Sequence, residues 1–209
     1  MTEDEIYTIE SQQQAEIKIK GSRFIGIAQP VTSEMEAKNF IAQLSRQYFD
    51  SSHNCYAYLI GWNRSQITRF SDAGEPSGTA GQPILKILLG KNLTDVIVVV
   101  VRYFGGTKLG TGGLARAYSD CAKQVINRCT IIKKYLSTTV KLEFDYNLTG
   151  AVMRVIEAFE AKILFVTYGQ KTELSVSLRN SLLKSFEQKL TAATAGKISQ
   201  SFDKPLAQT

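Results

Sequence analysis

Polar and apolar residues alternate from Ala15 to Ile19, with Ala15, Ile17 and Ile19 interleaved with Glu16 and Lys18. That period of two predicts a half-buried strand. Gly21-Ser22 supplies a turn, and Phe24–Ala28 returns as a second strand. The period then changes. Ala37, Phe40, Ile41, Leu44 and Tyr48 fall at helical spacing behind Ser33 and Glu36, a capping-box pair, so a helix is expected to about Phe49. HNCYAYLIG (53–61) and QITRF (66–70) read as strands. The breaker-rich stretch 71–83 reads as a loop, and Ile84–Leu89 as a short helix. Val96–Tyr103 is a continuous β-branched run, the pattern of a strand with little contact with water. After a glycine-rich segment, Leu114, Ala117, Tyr118, Cys121, Val125 and Cys129 form one stripe of a long helix. Arg116, Asp120, Lys123 and Asn127 take its opposite face.

The pattern restarts beyond Lys133-Lys134. Val140, Leu142, Phe144 and Tyr146 alternate with charged residues as a strand. Val152, Val155, Ile156 and Phe159 make a helix, and Ile163–Thr167 and Leu174–Leu178 are strands joined at Gly169-Gln170. Asn180 is expected to cap a helix carrying Leu183, Phe186 and Leu190, and Ile198–Phe202 closes the series as a strand. The order βαββαβ is that of a ferredoxin-like split unit. The expected class is α+β, with one domain over residues 1–133 and a ferredoxin-like domain over 134–209.

Charge adds a hint about partners. The chain carries +6 at neutral pH, with 14 Lys/Arg against 12 Asp/Glu in residues 1–131 and 11 against 7 in 132–209. Neither half is a basic tail; the basic balance suits an anionic partner or, equally, a surface charge kept for solubility. The three cysteines form no C-x-x-C pair and the N-terminal stretch is polar and acidic. The expectation is therefore reduced thiols in the cytoplasm, with no secretory leader. Val96–Val101, the longest apolar run, is far short of a membrane span.

The chemistry concentrates in Arg102-Tyr103-Phe104-Gly105-Gly106-Thr107-Lys108-Leu109-Gly110-Thr111-Gly112-Gly113, which joins a strand to a helix. Five glycines in nine residues let backbone approach a ligand closely. Successive N–H groups in such a loop form an anion-binding nest, and the following helix adds its positive N-terminal end. Arg102, Lys108 and Arg116 place three formal positive charges around it, and Thr107 and Thr111 add hydroxyl donors. The competing reading is a tight connection whose glycines only permit close helix–sheet packing. No window matches a Walker loop. Gly110 to Ala115 fits G-x-G-x-x-A but lacks the acidic residue about 20 positions on that a dinucleotide site requires.

Three further residues carry candidate chemistry. His53, the only histidine, shares a strand face with Cys55, but further ligands for a metal are missing, so no metal site is expected. His53 is expected as a polar residue at the mouth of its strand, lining the same cleft, with work as a lone general base the alternative. Asp72 and Glu75 flank Ala73-Gly74, where a carboxylate pair holds Mg²⁺ or, alternatively, simply makes a turn.

The string VVVVRYFGGTKLG closely resembles the signature of the IMPACT/YigZ family, and HNCYAYLIG and FSDAGEPSGTAGQPIL resemble its two other recurring blocks. The likeness is strong from Glu16 to Arg128. It continues through the second domain, which looks like the smaller C-terminal domain of the bacterial members. The resemblance implies an N-terminal domain with the fold of the second domain of a small-subunit ribosomal protein and a ferredoxin-like C-terminal domain. It also implies a role as a regulator of translation, with RNA or the ribosome as partner. The eukaryotic members' action on a starvation kinase pathway works through an additional N-terminal domain; this sequence begins almost directly at the shared domain, so that partner is not carried over as an expectation. Two functions follow as expectations. In the first, RNA or the ribosome binds the cationic glycine loop with no cofactor. In the second, an enzyme acts on a small phosphorylated metabolite or nucleotide held by the loop, with Mg²⁺ on Asp72 and Glu75 and His53 as acid or base. An interaction module without chemistry ranks third.

Overall fold

Every residue from Val96 to Val101 is buried, on both faces of one strand. The computed structural model describes residues 4–62, 66–202 and 206–207. They divide into two compact units, Ile6–Lys133 and a second built on Lys134–Thr209 with Met1–Glu5. The fold is α+β. Its first half contains strands β1 (Glu5–Ile9), β2 (Gln13–Ile19), β3 (Ser22–Pro30), β4 (His53–Ile60), β5 (Ile67–Ser71) and β6 (Val96–Tyr103). Helices α1 (Glu34–Gln47), α2 (Gly81–Gly90) and α3 (Gly110–Arg128) alternate with them.

The first unit's sheet has the order β2-β3-β6-β4-β5, and its neighbours all pair antiparallel. Parity along β6 sorts its side chains. Val96, Val98 and Val100 pack with Ile84 and Leu88 of α2 and with Leu114, Tyr118 and Val125 of α3. Ile97, Val99 and Val101 pack with Ala37, Phe40 and Leu44 of α1. Helices on both faces leave no wet side, which is why β6 reads as an unbroken apolar run although its pairing is antiparallel.

The second unit holds β7 (Ile131–Phe144), α4 (Thr149–Ala158), β8 (Lys162–Tyr168), β9 (Thr172–Arg179), α5 (Leu183–Ala193), β10 (Ile198–Phe202) and β11 (Leu206–Ala207). Its strands lie in the order β10-β7-β9-β8, again antiparallel, and β1 and β11 join the same sheet beside β7. Val140, Leu142 and Phe144 from β7 meet Val152 and Ile156 of α4 and Phe186 and Leu190 of α5 in one core. Among the described residues no helix is long and apolar enough to cross a membrane.

Several boundaries differ from the expected ones for local reasons. Lys20 and Gly21, both at positive φ, make the two-residue turn between β2 and β3, so Ser22 already belongs to β3. Helix α2 starts at Gly81, inside the stretch expected to be loop, because Pro83 is tolerated in a first helical turn and a distant carboxylate satisfies its end. Strand β7 runs straight through Lys133-Lys134 and stops at Phe144, leaving Tyr146 exposed in a 3₁₀ turn. Asn180 does not cap α5. A 3₁₀ turn, Asn180–Leu182, intervenes, and the Asn180 Oδ1 accepts a hydrogen bond from Thr138 Oγ1 at 2.7 Å. The Ser33 cap is made as expected: Ser33 Oγ accepts the Glu36 amide at 3.2 Å.

Candidate functional site

At one end of the first sheet, Phe24, Arg102 and His53 stand side by side on β3, β6 and β4. Arg102 has the parity of Val96, Val98 and Val100, so it points to the side covered by α2 and α3. There it meets Glu75, which enters from the loop between β5 and α2. Arg102 Nη1 lies 2.6 Å from Glu75 Oε1, and the two side chains are 6% and 3% exposed. The Tyr118 hydroxyl, from α3, donates to the same oxygen at 2.8 Å. Arg102 Nη2 reaches Ser22 Oγ at 3.4 Å, and its guanidinium stands 5.5 Å from the ring centres of both Phe24 and Phe104. Charge-assisted bonds at this distance are strong, and removal of either partner would leave the other as an uncompensated buried charge.

His53 and Cys55 border this pair. The His53 Nδ1–H donates to the Ala73 carbonyl at 2.9 Å, which turns Nε2 toward Glu75 Oε2, 4.0 Å away. The Cys55 sulfur lies 2.9 Å from the Asp72 carbonyl oxygen and 3.4 Å from the Tyr118 hydroxyl. Burial pushes the Cys55 thiol up to about 12. It pushes the Tyr118 hydroxyl up still further, with Cys55 and Glu75 adding to the effect, so both stay protonated.

The Asp72 carboxylate has a separate task. Its Oδ2 accepts the Gly78 amide at 2.8 Å, while Oδ1 accepts those of Ala80 and Gly81 at 2.9 and 2.8 Å. Asp72 thus closes the loop onto the start of α2, which has no side-chain cap of its own. Burial acts to raise its pKa, but the amides of Gly78, Gly81 and Ala80 outweigh it and hold the group below the usual Asp value. Mg²⁺ does not fit these carboxylates. Both oxygens of Asp72 accept amides, Glu75 Oε1 accepts from Arg102 and Tyr118, and the two residues face different partners.

The glycine segment is anchored at its start and open afterwards. The Phe104 amide donates to Ser52 Oγ at 3.1 Å and the Gly105 amide to Ser22 Oγ at 3.2 Å. A Cβ on Gly105 would fall 1.9 Å from the Gly21 carbonyl carbon, so here glycine serves close packing. Beyond it the surroundings clear. Gly106 and Gly110 have φ of +83° and +71°, and a Cβ at Gly106, Gly110 or Gly112 would meet nothing within 4 Å. Helix α3 begins at Gly110 behind Leu109, with no side-chain cap and no acidic residue in its first turn. Thr107, Lys108, Thr111 and Arg116 are exposed. A Cβ on Gly113 would touch only Leu109 Cβ, at 3.2 Å. Helix α3 thus begins without a side-chain cap, at the positive end of a 19-residue helix.

His53, Glu75 and Arg102 thus converge, whereas Lys108, in the loop, and Arg116, on α3, are exposed. Arg102 is turned inward to Glu75, with its guanidinium beside the Phe104 ring, so it is not one of the exposed cations expected around the loop. Ser22, Ser52 and Tyr118 hold this arrangement together and were not singled out from sequence. A tyrosine in a helix stripe otherwise made of Leu, Ala, Cys and Val was the one available sign, since a buried hydroxyl requires a partner.

Residues 20–126 match the family described as the Impact N-terminal domain, and residues 142–197 match a domain of unknown function, DUF1949. The IMPACT family member YvyE of Bacillus subtilis is 35% identical over 91% of this chain and 88% of its own length. The IMPACT family member YigZ of Escherichia coli is 34% identical over 87% of this chain and 89% of its own. Protein IMPACT of Xenopus laevis is 30% identical over 60% of this chain but only 41% of itself. A solved structure described as that of a hypothetical protein matches 99% of this chain with a TM-score of 0.71 and 30% identity, over 98% of its own length.

Proposed function

This chain belongs to the IMPACT family, and on that premise we propose that it binds RNA, as displayed on the ribosome, and through it regulates translation. The observation that carries this reading is the open space around Gly106, Gly110 and Gly112 at the uncapped start of α3, with Lys108 in the loop and Arg116 on α3 both exposed. Phosphate oxygens suit outward-facing amides at a helix N-terminus, and cations flanking them favour a polyanion over a single small anion. The net charge of +6 acts in the same direction. Binding of this kind needs no cofactor and belongs in the cytoplasm. We further read the first unit as sharing the fold of a small-subunit ribosomal protein's second domain and the second as ferredoxin-like. The β-α-β-β-α-β order with strands β10-β7-β9-β8 supports the latter.

The test is a salt titration of affinity for structured RNA. Two to three phosphate contacts give a log–log slope of about −2, a loss of roughly tenfold between 50 and 200 mM salt. Lys108→Ala with Arg116→Ala should weaken binding to all sequences alike, because phosphate contacts carry no base information. No measurable affinity at low salt overturns the proposal.

One observation favours a second reading, an enzyme on a small phosphorylated ligand. His53 offers a partly exposed ring whose Nδ1 is fixed on Ala73 and whose Nε2 faces Glu75. Such a ligand should raise the melting temperature in proportion to its binding, without Mg²⁺. Absence of any shift with nucleotides or sugar phosphates excludes it.

A further inference from the structure

Phe104 follows β6 and opens the glycine segment, yet it is a member of neither core of its unit and is 49% exposed. Its neighbour Tyr103 packs on the α1 side of the sheet and donates to Asp50 at 2.8 Å. Phe104, two residues from Arg102, takes the opposite side, the one covered by α2 and α3, and there the Arg102 guanidinium stands 5.5 Å from its ring centre. The ring and the start of α3 are therefore on the same side of the sheet, away from Asp50.

The ring rests on a fixed base. Arg102 is almost wholly buried and is held by Glu75 and Ser22. Its Nε–H is also buried and has no hydrogen-bond partner among the described residues, so the rings of Phe24 and Phe104 are its neighbours there. A desolvated cation against an aromatic ring is a strong contact. The Phe104 amide is tied to Ser52 Oγ and the Gly105 amide to Ser22 Oγ, which fixes the main chain on either side of the ring. An exposed aromatic surface held in this way is pre-organised for a flat partner.

Exposed aromatics occur elsewhere, as at Phe49, Phe70 and Tyr146, and position sets Phe104 apart. Gly106, the first glycine with open space around it, is two residues on, at most about 7 Å along the chain. Exposed Lys108 is four residues on. A stacking surface beside an anion-attracting segment matches the two ends of a nucleotide, its base and its phosphate. In a duplex the faces of each base are covered by its neighbours, so only an unpaired base can stack on a side chain.

Resting on the reading that this loop binds RNA, we propose that Phe104 is a stacking platform for one unpaired base, which makes single-stranded RNA the preferred ligand of the site. The phosphate of that nucleotide falls toward Gly106 and Lys108.

Fluorescence anisotropy of the full chain tests this with a labelled, unstructured RNA of about 12 nucleotides and the same strand annealed to its complement. Wild type should prefer the single strand, although the duplex carries twice the phosphates and charge alone would favour it. Phe104→Leu keeps apolar bulk but removes the aromatic face. It should weaken single-strand binding about 5- to 100-fold, the loss of one stacked base, with the salt slope kept. Phe104→Trp should retain the affinity, and its added indole emission, measured against wild type with Trp62 alone, should be quenched by the oligomer. Circular dichroism checks that each variant keeps its fold. Equal wild-type affinity for the two RNAs, or Phe104→Leu binding as tightly as wild type, overturns the proposal, while binding that still depends on Lys108 and Arg116 leaves the RNA reading standing. UMP competing as well as the oligomer, nucleotide for nucleotide, also overturns it, by making the site one for a small ligand. No affinity for either RNA removes both.

Discussion

Arg102 and Glu75 meet at 2.6 Å beneath the glycine segment, each almost wholly buried, and Tyr118 donates to the same carboxylate oxygen. With Tyr118 the pair links three parts of the chain: the end of β6, the loop before α2 and the third turn of α3. Loss of one partner leaves a buried charge without its counterpart, so Arg102→Ala or Glu75→Ala alone should cost about 3–5 kcal/mol. Arg102→Ala combined with Glu75→Ala should cost less than the sum of the two single changes. Urea denaturation of the four proteins of this cycle measures it. Strictly additive costs would show that the pair does not act as a unit.

The five glycines should separate into classes. Gly105→Ala forces a methyl group into the Gly21 backbone and should destabilise by several kcal/mol or prevent folding, as overpacking against main chain allows little relief. Gly112→Ala lies in the first turn of α3 with open space around it and should leave stability unchanged or raise it by up to about 1 kcal/mol. Thermal denaturation of the two variants compares them directly.

Asp72→Asn removes the charge that three amides share. By analogy with helix caps the loss should be about 1–2 kcal/mol at neutral pH. Its pH dependence follows from the depressed pKa. The carboxylate's contribution is complete above the unfolded Asp value, about 3.9, and is lost as pH falls through the lower folded value. The melting-temperature gap between wild type and variant should therefore stay level from pH 7 to 5 and close below about pH 4. A gap that widens with acid would contradict this assignment.

Burial pushes the Cys55 and Cys121 thiols up to about 12, while Cys129 is only half-buried and raised less. The thiolate is the reactive form. In the native protein at pH 8, Ellman's reagent should modify Cys129 first and slowly, with Cys55 and Cys121 reacting only on unfolding. Peptide mass mapping at early times identifies the site.

Periodicity revealed the repeating parts of this fold because burial imposes it directly. The alternation at Ala15–Ile19, the α3 stripe and the run Val96–Val101 each report what covers them. Strand β1 escaped because Glu5–Ile9 sits in a polar, acidic stretch and takes its partner from beyond residue 130, which no local pattern records. Charge alone could not say which cations face a ligand. Arg102 and Lys108 read alike in sequence, yet parity along β6 sends Arg102 inward to Glu75 and leaves Lys108 in water. Asp72 looked like half of a carboxylate pair because its true partners, the amides of Gly78, Ala80 and Gly81, have no signature in side-chain type.

Strand β6 sits between two helical layers and is hydrogen-bonded along both edges. Its amide hydrogens can meet solvent only when the whole Ile6–Lys133 unit comes apart. They are thus the natural clock for that unit's lifetime: in deuterium oxide, Val98 and Val100 should keep their protons longest, and their exchange should report the global opening free energy.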